Sequence, residues 1–170
     1  FALANGESRC EVRDARRDYK TFSEALTFVC TYLAKEIARD GEGATKLIRI
    51  AVKGAATPAD ALTAARTVAN SALVKTAFYG SDPNWGRIMA ALGRSGIRMR
   101  EQAVAIFVDD VKIVEKGMGR GSEAEAKAAA IMKGKEFSLT VELNEGEFED
   151  HITTCDLTHE YVTINADYRT

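Results

Sequence analysis

The hydrophobic pattern of this chain changes its period several times, and the order of those changes limits the folds that the chain can adopt. Apolar residues recur at helical spacing from Phe22 to Ile37, and an alanine-rich stretch from Thr57 to about Phe78 predicts a second helix. Residues 47–52 between them predict a strand. Later segments are mostly strands that follow one another. Helices between strands early and consecutive strands late indicate an α/β fold, with a mixed, largely antiparallel sheet layered with helices.

Caps and turns place the remaining elements. We see no internal repeat, linker or low-complexity tract, so the sequence predicts a single domain over residues 1–170. Ser122 and Glu125 have the spacing of a capping box, which predicts that a helix begins there and runs to Met132. The other predicted elements are a short helix at 85–92, and strands at 104–108, 111–114, 137–143, 148–154 and 161–166.

Composition excludes several classes of protein. The chain of 170 residues has a net charge of −2 and no Lys/Arg-rich block, which argues against nucleic-acid binding. No apolar run approaches the roughly 20 residues that span a bilayer. The three cysteines are widely spaced, as expected for reduced thiols in the cytosol. His151, Cys155 and His159 would share a helix face and could bind a metal, but strand-favouring residues separate them, so we predict no metal.

The first residues predict a strand that ends in a turn at Asn5-Gly6. They lack the charged start and the long apolar stretch of a signal peptide. Because a strand beginning at Phe1 suggests a segment upstream, we interpret the chain as a processed or fragmentary polypeptide.

Two segments are candidates for an amino-acid site. In the run Asp-Gly-Glu-Gly-Ala-Thr-Lys at 40–46, Glu42 lies between two glycines, where backbone can approach a ligand closely. Its carboxylate could bind an ammonium group. The alternative is a plain loop between helix and strand. At the C-terminus, Asn165 and Thr170 would lie near one another if the tail docks, whereas charged and polar tails usually fray.

Two further loops are candidates for a binding site. The run Asp-Pro-Asn-Trp-Gly-Arg at 82–87 is dense in specialised residues and is either a binding loop or a structural turn with a tryptophan anchor. The glycines at 117–121 precede a helix but lack the spacing of a phosphate loop, which favours a flexible turn. No Ser/His/Asp set is visible, so residue types alone do not indicate a self-contained enzyme.

Taken together, the runs at 40–46, 75–87 and 161–170 resemble the β-chain of ornithine acetyltransferases, also called glutamate N-acetyltransferases. The match runs in order along essentially the whole chain and corresponds to the C-terminal part of that β-chain. It implies the mixed α/β fold of these enzymes and of the self-cleaving N-terminal-nucleophile aminopeptidases. It also implies that Glu42, Asn165 and Thr170 are substrate-binding residues.

The resemblance implies a mechanism as well. Members of this family cut their own precursor before a threonine, whose hydroxyl is activated by its own α-amine. The threonine takes acetyl from N-acetylornithine and passes it to glutamate, with no cofactor or metal. Some members also use acetyl-CoA as a co-substrate. Residues that stabilise the oxyanion belong to the α-chain of the same precursor.

This sequence departs from the family pattern in one respect. The nucleophilic threonine lies upstream of the segment that matches Leu3–Gly6, so we expect no catalytic residue here, because Thr21 and Thr45 have no free α-amine. We expect this chain to be inactive alone and to join the α-chain in an α2β2 heterotetramer, in the cytoplasm or in an organelle matrix. The alternatives are a peptide-hydrolysing relative and a non-enzymatic domain that binds an amino acid for regulation.

Overall fold

The computed structural model describes residues 5–9, 11–13 and 17–167. These residues fall into two compact units, 1–36 and 37–170. The single-domain interpretation stays a prediction. In the first unit, Arg9 N donates to the Gly6 carbonyl at 3.1 Å, which confirms the turn after Asn5. The strand predicted ahead of that turn lies outside the described residues.

Helix α1, Arg17–Arg39, is the long helix that the apolar spacing predicts. It begins in the first unit, and residues from Ile37 on belong to the second. It buries none of its residues, although many of them are apolar.

A six-stranded sheet dominates the second unit. Its strand order is β4-β3-β2-β5-β1-β6, with β1 and β5 parallel and every other neighbouring pair antiparallel. This arrangement confirms the predicted fold class. The strands are β1 Leu47–Ala55, β2 Ala105–Val108, β3 Val111–Glu115, β4 Met118–Gly119, β5 Glu136–Glu142 and β6 Phe148–Cys155.

Five further helices of the described residues accompany the sheet, and four of them pack buried residues against the central strands in one core. Ile48, Ile50 and Val52 of β1 are fully buried with alanines of α2. The small side chains of these alanines let α2 approach the sheet closely. No helix in the described ranges is long and apolar enough to cross a membrane. The helices are α2 Pro58–Ala69, α3 Ala72–Tyr79, α4 Trp85–Arg94, α5 Ser122–Met132 and α6 His159–Asp167, with a 3₁₀ turn at Glu101–Ala103.

Two predictions about helix ends are wrong. The helix predicted from Thr57 to Phe78 is broken, because Asn70 ends α2 and the Ser71 side chain caps the start of α3. Both residue types favour caps over helix interiors. The predicted capping box is absent: Gly121, with φ at 86°, precedes α5, and no side chain caps it.

The strand predicted at 161–166 is also wrong, since these residues form most of α6. Aromatic and β-branched residues such as Tyr161 and Val162 favour strands, and that preference is the reason for the incorrect prediction. No residue of α6 is buried, so packing against a sheet does not fix its conformation. Asn165 therefore lies on a helix and not at the end of a strand.

Candidate functional site

Two loops meet at one edge of the sheet. β1 and β6 are antiparallel, and Leu47 at the start of β1 pairs with Cys155 at the end of β6. The loop ahead of β1 and the segment after β6 therefore leave the sheet side by side. This topology brings the Gly-Glu-Gly loop close to residues more than 100 positions later in the chain.

Asp156 joins the two segments through hydrogen bonds. It is only 3% exposed. Its Oδ1 accepts hydrogen bonds from Thr45 N at 2.8 Å and from Lys46 N at 3.0 Å, and its Oδ2 accepts from the Thr45 hydroxyl. A buried carboxylate requires such donors to offset the loss of water. The end of the Gly-Glu-Gly loop is therefore attached to the end of β6.

Thr158 makes a second connection between the same segments. Its hydroxyl, nearly buried, donates to the Gly43 carbonyl at 2.7 Å and accepts from Tyr161 N at 3.2 Å. The bond from Tyr161 N is that of a helix N-cap at the start of α6. The Thr158 hydroxyl therefore binds the Gly-Glu-Gly loop and also caps the N-terminus of α6.

Glu42 and Asn165 face each other across this junction. Asn165 Nδ2 donates to Glu42 Oε2 at 2.9 Å and to the Tyr161 carbonyl at 2.9 Å. Both neighbours are acceptors, so the amide nitrogen must point toward them. Both side chains are exposed, and neither Glu42 Oε1 nor Asn165 Oδ1 has a partner among the described residues. Both N–H groups of Asn165 Nδ2 are used by these two bonds, so the pair can offer its carboxylate and amide oxygens as acceptors to an ammonium group.

Lys46 adds a cation behind the loop. Its Nζ donates to the Phe78 carbonyl at 2.6 Å, the Tyr79 carbonyl at 3.1 Å and Ser81 Oγ at 2.7 Å. These bonds satisfy carbonyls at the C-terminal end of α3. Desolvation lowers the pKa of the Lys46 ammonium below its usual 10.5, and the Asp156 carboxylate partly opposes that shift.

The 82–87 run makes structural hydrogen bonds that involve three helices. Asn84 Oδ1 accepts from Arg87 N and so caps α4. Trp85 Nε1 donates to Glu125 Oε1 at 3.3 Å. Arg87 Nη1 donates to the Leu73 carbonyl at 2.9 Å. These bonds join α3, α4 and α5, as expected for a structural turn with a tryptophan anchor.

The remaining candidates do not form a site in the described residues. Met118 and Gly119 of the glycine-rich run form the short strand β4. Within residues 5–9, 11–13 and 17–167, no three His, Cys, Asp or Glu side chains are placed to bind a metal ion. Cys30 and Cys155 are free thiols.

The structure therefore brings together two of the three residues that the sequence singles out. Thr170 lies outside the described residues, and substrate binding by all three stays a prediction. Sequence reasoning missed Asp156 and Thr158. A helix prediction at 159–167 would have revealed Thr158, since threonine just before a helix is a typical N-cap.

Comparisons with known proteins place the chain among relatives. A model of the ArgJ family matches residues 1–170. The arginine biosynthesis bifunctional protein ArgJ of Syntrophotalea carbinolica is 51% identical over 171 residues, covering 100% of this chain and 44% of that protein. The glutamate N-acetyltransferase of Methanocaldococcus jannaschii is 45% identical over 177 residues, covering 100% and 43%. This chain thus spans less than half the length of these two relatives.

A solved structure agrees. The crystal structure of the arginine biosynthesis bifunctional protein argJ from Bacillus halodurans superposes with a TM-score of 0.91 at 40% identity, and the match covers 97% of this chain and 78% of that one. Sequence and fold point to the same relatives along the whole length, so this chain belongs to the ArgJ family.

Proposed function

We propose that this chain is part of a glutamate N-acetyltransferase, which moves acetyl from N-acetylornithine to glutamate in arginine biosynthesis. Family membership and the names of its relatives support the reaction. The observation that carries the role of this chain is the 2.9 Å contact between Asn165 Nδ2 and Glu42 Oε2. This contact creates a polar, exposed pair whose oxygen acceptors suit the ammonium group of an amino acid.

In this proposal, Glu42 binds an ammonium group of the substrate, which in N-acetylornithine is the side-chain ammonium, because the α-nitrogen carries the acetyl group. A charge-assisted hydrogen bond of this kind contributes about 1.5–3 kcal/mol. The Asn165 amide and the hydroxyl of Thr170 bind the remaining polar groups. The Glu42–Asn165 bond keeps both side chains in place before the substrate arrives, which reduces the entropy lost on binding.

The attacking group comes from another part of the precursor. An N-terminal threonine hydroxyl attacks the acetyl carbonyl of N-acetylornithine, the C–N bond breaks, and ornithine leaves with the proton. The glutamate amine then attacks the acetyl-threonyl ester, which releases the threonine oxygen and gives N-acetylglutamate. No cofactor or metal takes part. We place the reaction in the cytoplasm, or in an organelle matrix in a eukaryote.

The proposed partner is the rest of the precursor, as an α-chain within an α2β2 heterotetramer. The chain covers 44% of its Syntrophotalea relative, so most of that length is available to contribute a partner surface. Helix α1 exposes an apolar stripe that such a partner could cover. At 100° per residue, five of its apolar side chains fall on one side of the helix. They are Phe22, Leu26, Val29, Leu33 and Ile37, each between 43% and 75% exposed.

The test is an assay of the complete enzyme with N-acetylornithine and glutamate. Transfer of acetyl to glutamate supports the proposal. Peptide hydrolysis without transfer would instead support the aminopeptidase-like alternative. Replacing N-acetylornithine by acetyl-CoA tests the second donor. Tight binding of ornithine or glutamate by this chain alone, measured by calorimetry, would favour the regulatory domain.

Glu42→Gln tests the contact residue. Glutamine keeps the shape of the side chain but removes its charge, so kcat/KM for N-acetylornithine should fall roughly 10- to 100-fold. Glu147→Gln is the matched control, because it removes the same charge from an exposed turn at the other end of β6, about 25 Å along the strand. An unchanged kcat/KM in Glu42→Gln would remove Glu42 from the site.

A further inference from the structure

We propose that Thr158 is a positioning residue for the amino-acid site, and that it acts through Gly43 and Tyr161 without touching the substrate. This inference rests on the proposed function, because it assigns to Thr158 the task of holding Glu42 and Asn165 together. The evidence is the geometry of one hydroxyl group.

The Thr158 hydroxyl is bonded to a neighbour of each proposed contact residue. It donates to the carbonyl of Gly43, the residue after Glu42, at 2.7 Å. It accepts from Tyr161 N at 3.2 Å, and the Tyr161 carbonyl in turn accepts from Asn165 Nδ2 at 2.9 Å. A single group therefore sets the distance between the loop that carries Glu42 and the helix that carries Asn165.

Burial makes these bonds effective. Thr158 is 4% exposed, whereas Glu42 and Asn165 are both exposed. A hydrogen bond shielded from water is not easily replaced by one to solvent, and its loss leaves the Gly43 carbonyl without this donor. The exposed Glu42–Asn165 bond can be exchanged for bonds to water, so the buried Thr158 hydroxyl adds rigidity to the arrangement that this bond holds.

Asp156 secures only the far end of the loop. Its acceptors hold Thr45 and Lys46, three and four residues after Glu42. Removing the Thr158 hydroxyl would leave that attachment intact, so the chain should still fold with the loop near α6. The expected defect is therefore a changed position of Glu42 relative to Asn165, in a protein that still folds.

The experiment compares Thr158→Val and Thr158→Ser in the complete acetyltransferase. Valine removes the hydroxyl at nearly constant shape, and we expect KM for N-acetylornithine to rise roughly 5- to 20-fold with kcat little changed. Serine restores the hydroxyl and should restore KM. If the valine variant does not fold, Thr158→Ala removes the hydroxyl without adding a methyl group and provides the same comparison.

Thr57→Val is the matched control. Thr57 caps α2 by accepting a hydrogen bond from Asp60 N, so the valine variant also loses a threonine N-cap. This N-cap belongs to α2 and not to the Gly43–α6 junction. Thr57→Val should lower Tm and leave KM unchanged. If Thr158→Val behaves like Thr57→Val while Glu42→Gln still impairs catalysis, the positioning role is overturned and the proposed function survives. If Glu42→Gln has no effect either, the amino-acid site itself is overturned.

Discussion

At the scale of single residues, Gly43 permits the close approach of the loop to α6. Its φ is +65°, and a Cβ atom at this position would lie 2.7 Å from Tyr161 N and 2.9 Å from the Glu160 Cβ. The obstacle is partly backbone, which cannot move aside as a flexible side chain can. Any larger residue must therefore push α6 away from the loop.

Gly43→Ala should accordingly lower the free energy of unfolding by about 3 kcal/mol, the sum of left-handed backbone strain and steric clash. Gly96→Ala separates the two causes. Gly96 has φ at +75° but no atom within 4 Å of its added Cβ, so only the strain of about 1 kcal/mol applies. Urea denaturation of both variants measures the difference. Equal losses would show that α6 yields without cost.

Single residues differ in how well the sequence alone predicts their role in the site. Glu42 stood out because a carboxylate between two glycines lies where backbone can approach a ligand closely, and Asn165 because it belongs to the C-terminal run that carries the resemblance. Asp156 and Thr158 gave no such signal. Their importance arises from the pairing of β1 with β6, which places them beside a loop over 100 positions earlier. Long-range register of this kind is not encoded in any local pattern.

At the scale of elements, the turn between β5 and β6 is tied to the segment ahead of β2. Glu145 Oε1 accepts from Arg100 Nε at 2.8 Å and from Arg100 N at 3.0 Å. The side-chain bond from Arg100 lowers the pKa of the Glu145 carboxyl below 4.5, with a smaller contribution from the backbone N–H. The charged form is thus favoured in the folded protein.

The sign of the pH dependence follows. A carboxyl whose pKa is lowered by folding stabilises the protein above pH 4.5, and that contribution is lost as the pH falls through the folded-state pKa. Glu145→Gln should therefore lower Tm at pH 7 and differ little from the parent in acid. Glu147→Gln, in the same turn and without a described partner, should show no such trend. A deficit in Glu145→Gln that persists at low pH would contradict the ion pair.

Element types were predicted well where a periodic pattern extends over many residues. The alternation in β1 and the helical spacing in α1 each gave the correct type, because both patterns extend over several turns or pleats. The prediction for α6 was wrong because its β-branched residues favour a strand and the Thr158 cap was not recognised. The break between α2 and α3 at Asn70-Ser71 was missed for a different reason: a cap signal was present, but the high alanine content favoured one continuous helix.

At the scale of the whole molecule, α1 has no buried residue although its apolar residues form a stripe. An isolated chain would leave that surface in water, where each exposed apolar side chain forgoes about 1.5–3 kcal/mol of burial. The proposed partner would cover it. Stability of the chain alone and assembly of the complete enzyme should therefore depend on these residues differently.

The double variant Leu26→Gln with Leu33→Gln tests this dependence. In the chain alone, Tm should change little, because the two side chains are 43% and 52% exposed. In the complete enzyme, we expect the fraction of assembled heterotetramer to fall at least tenfold on size-exclusion chromatography, since two burial sites are lost. The control replaces Lys20 and Glu24, an exposed pair on the opposite side of α1, with glutamine. Normal assembly of the leucine variant would show that the partner covers a different surface, because an interface that includes this stripe cannot lose two leucines at its centre without weakening.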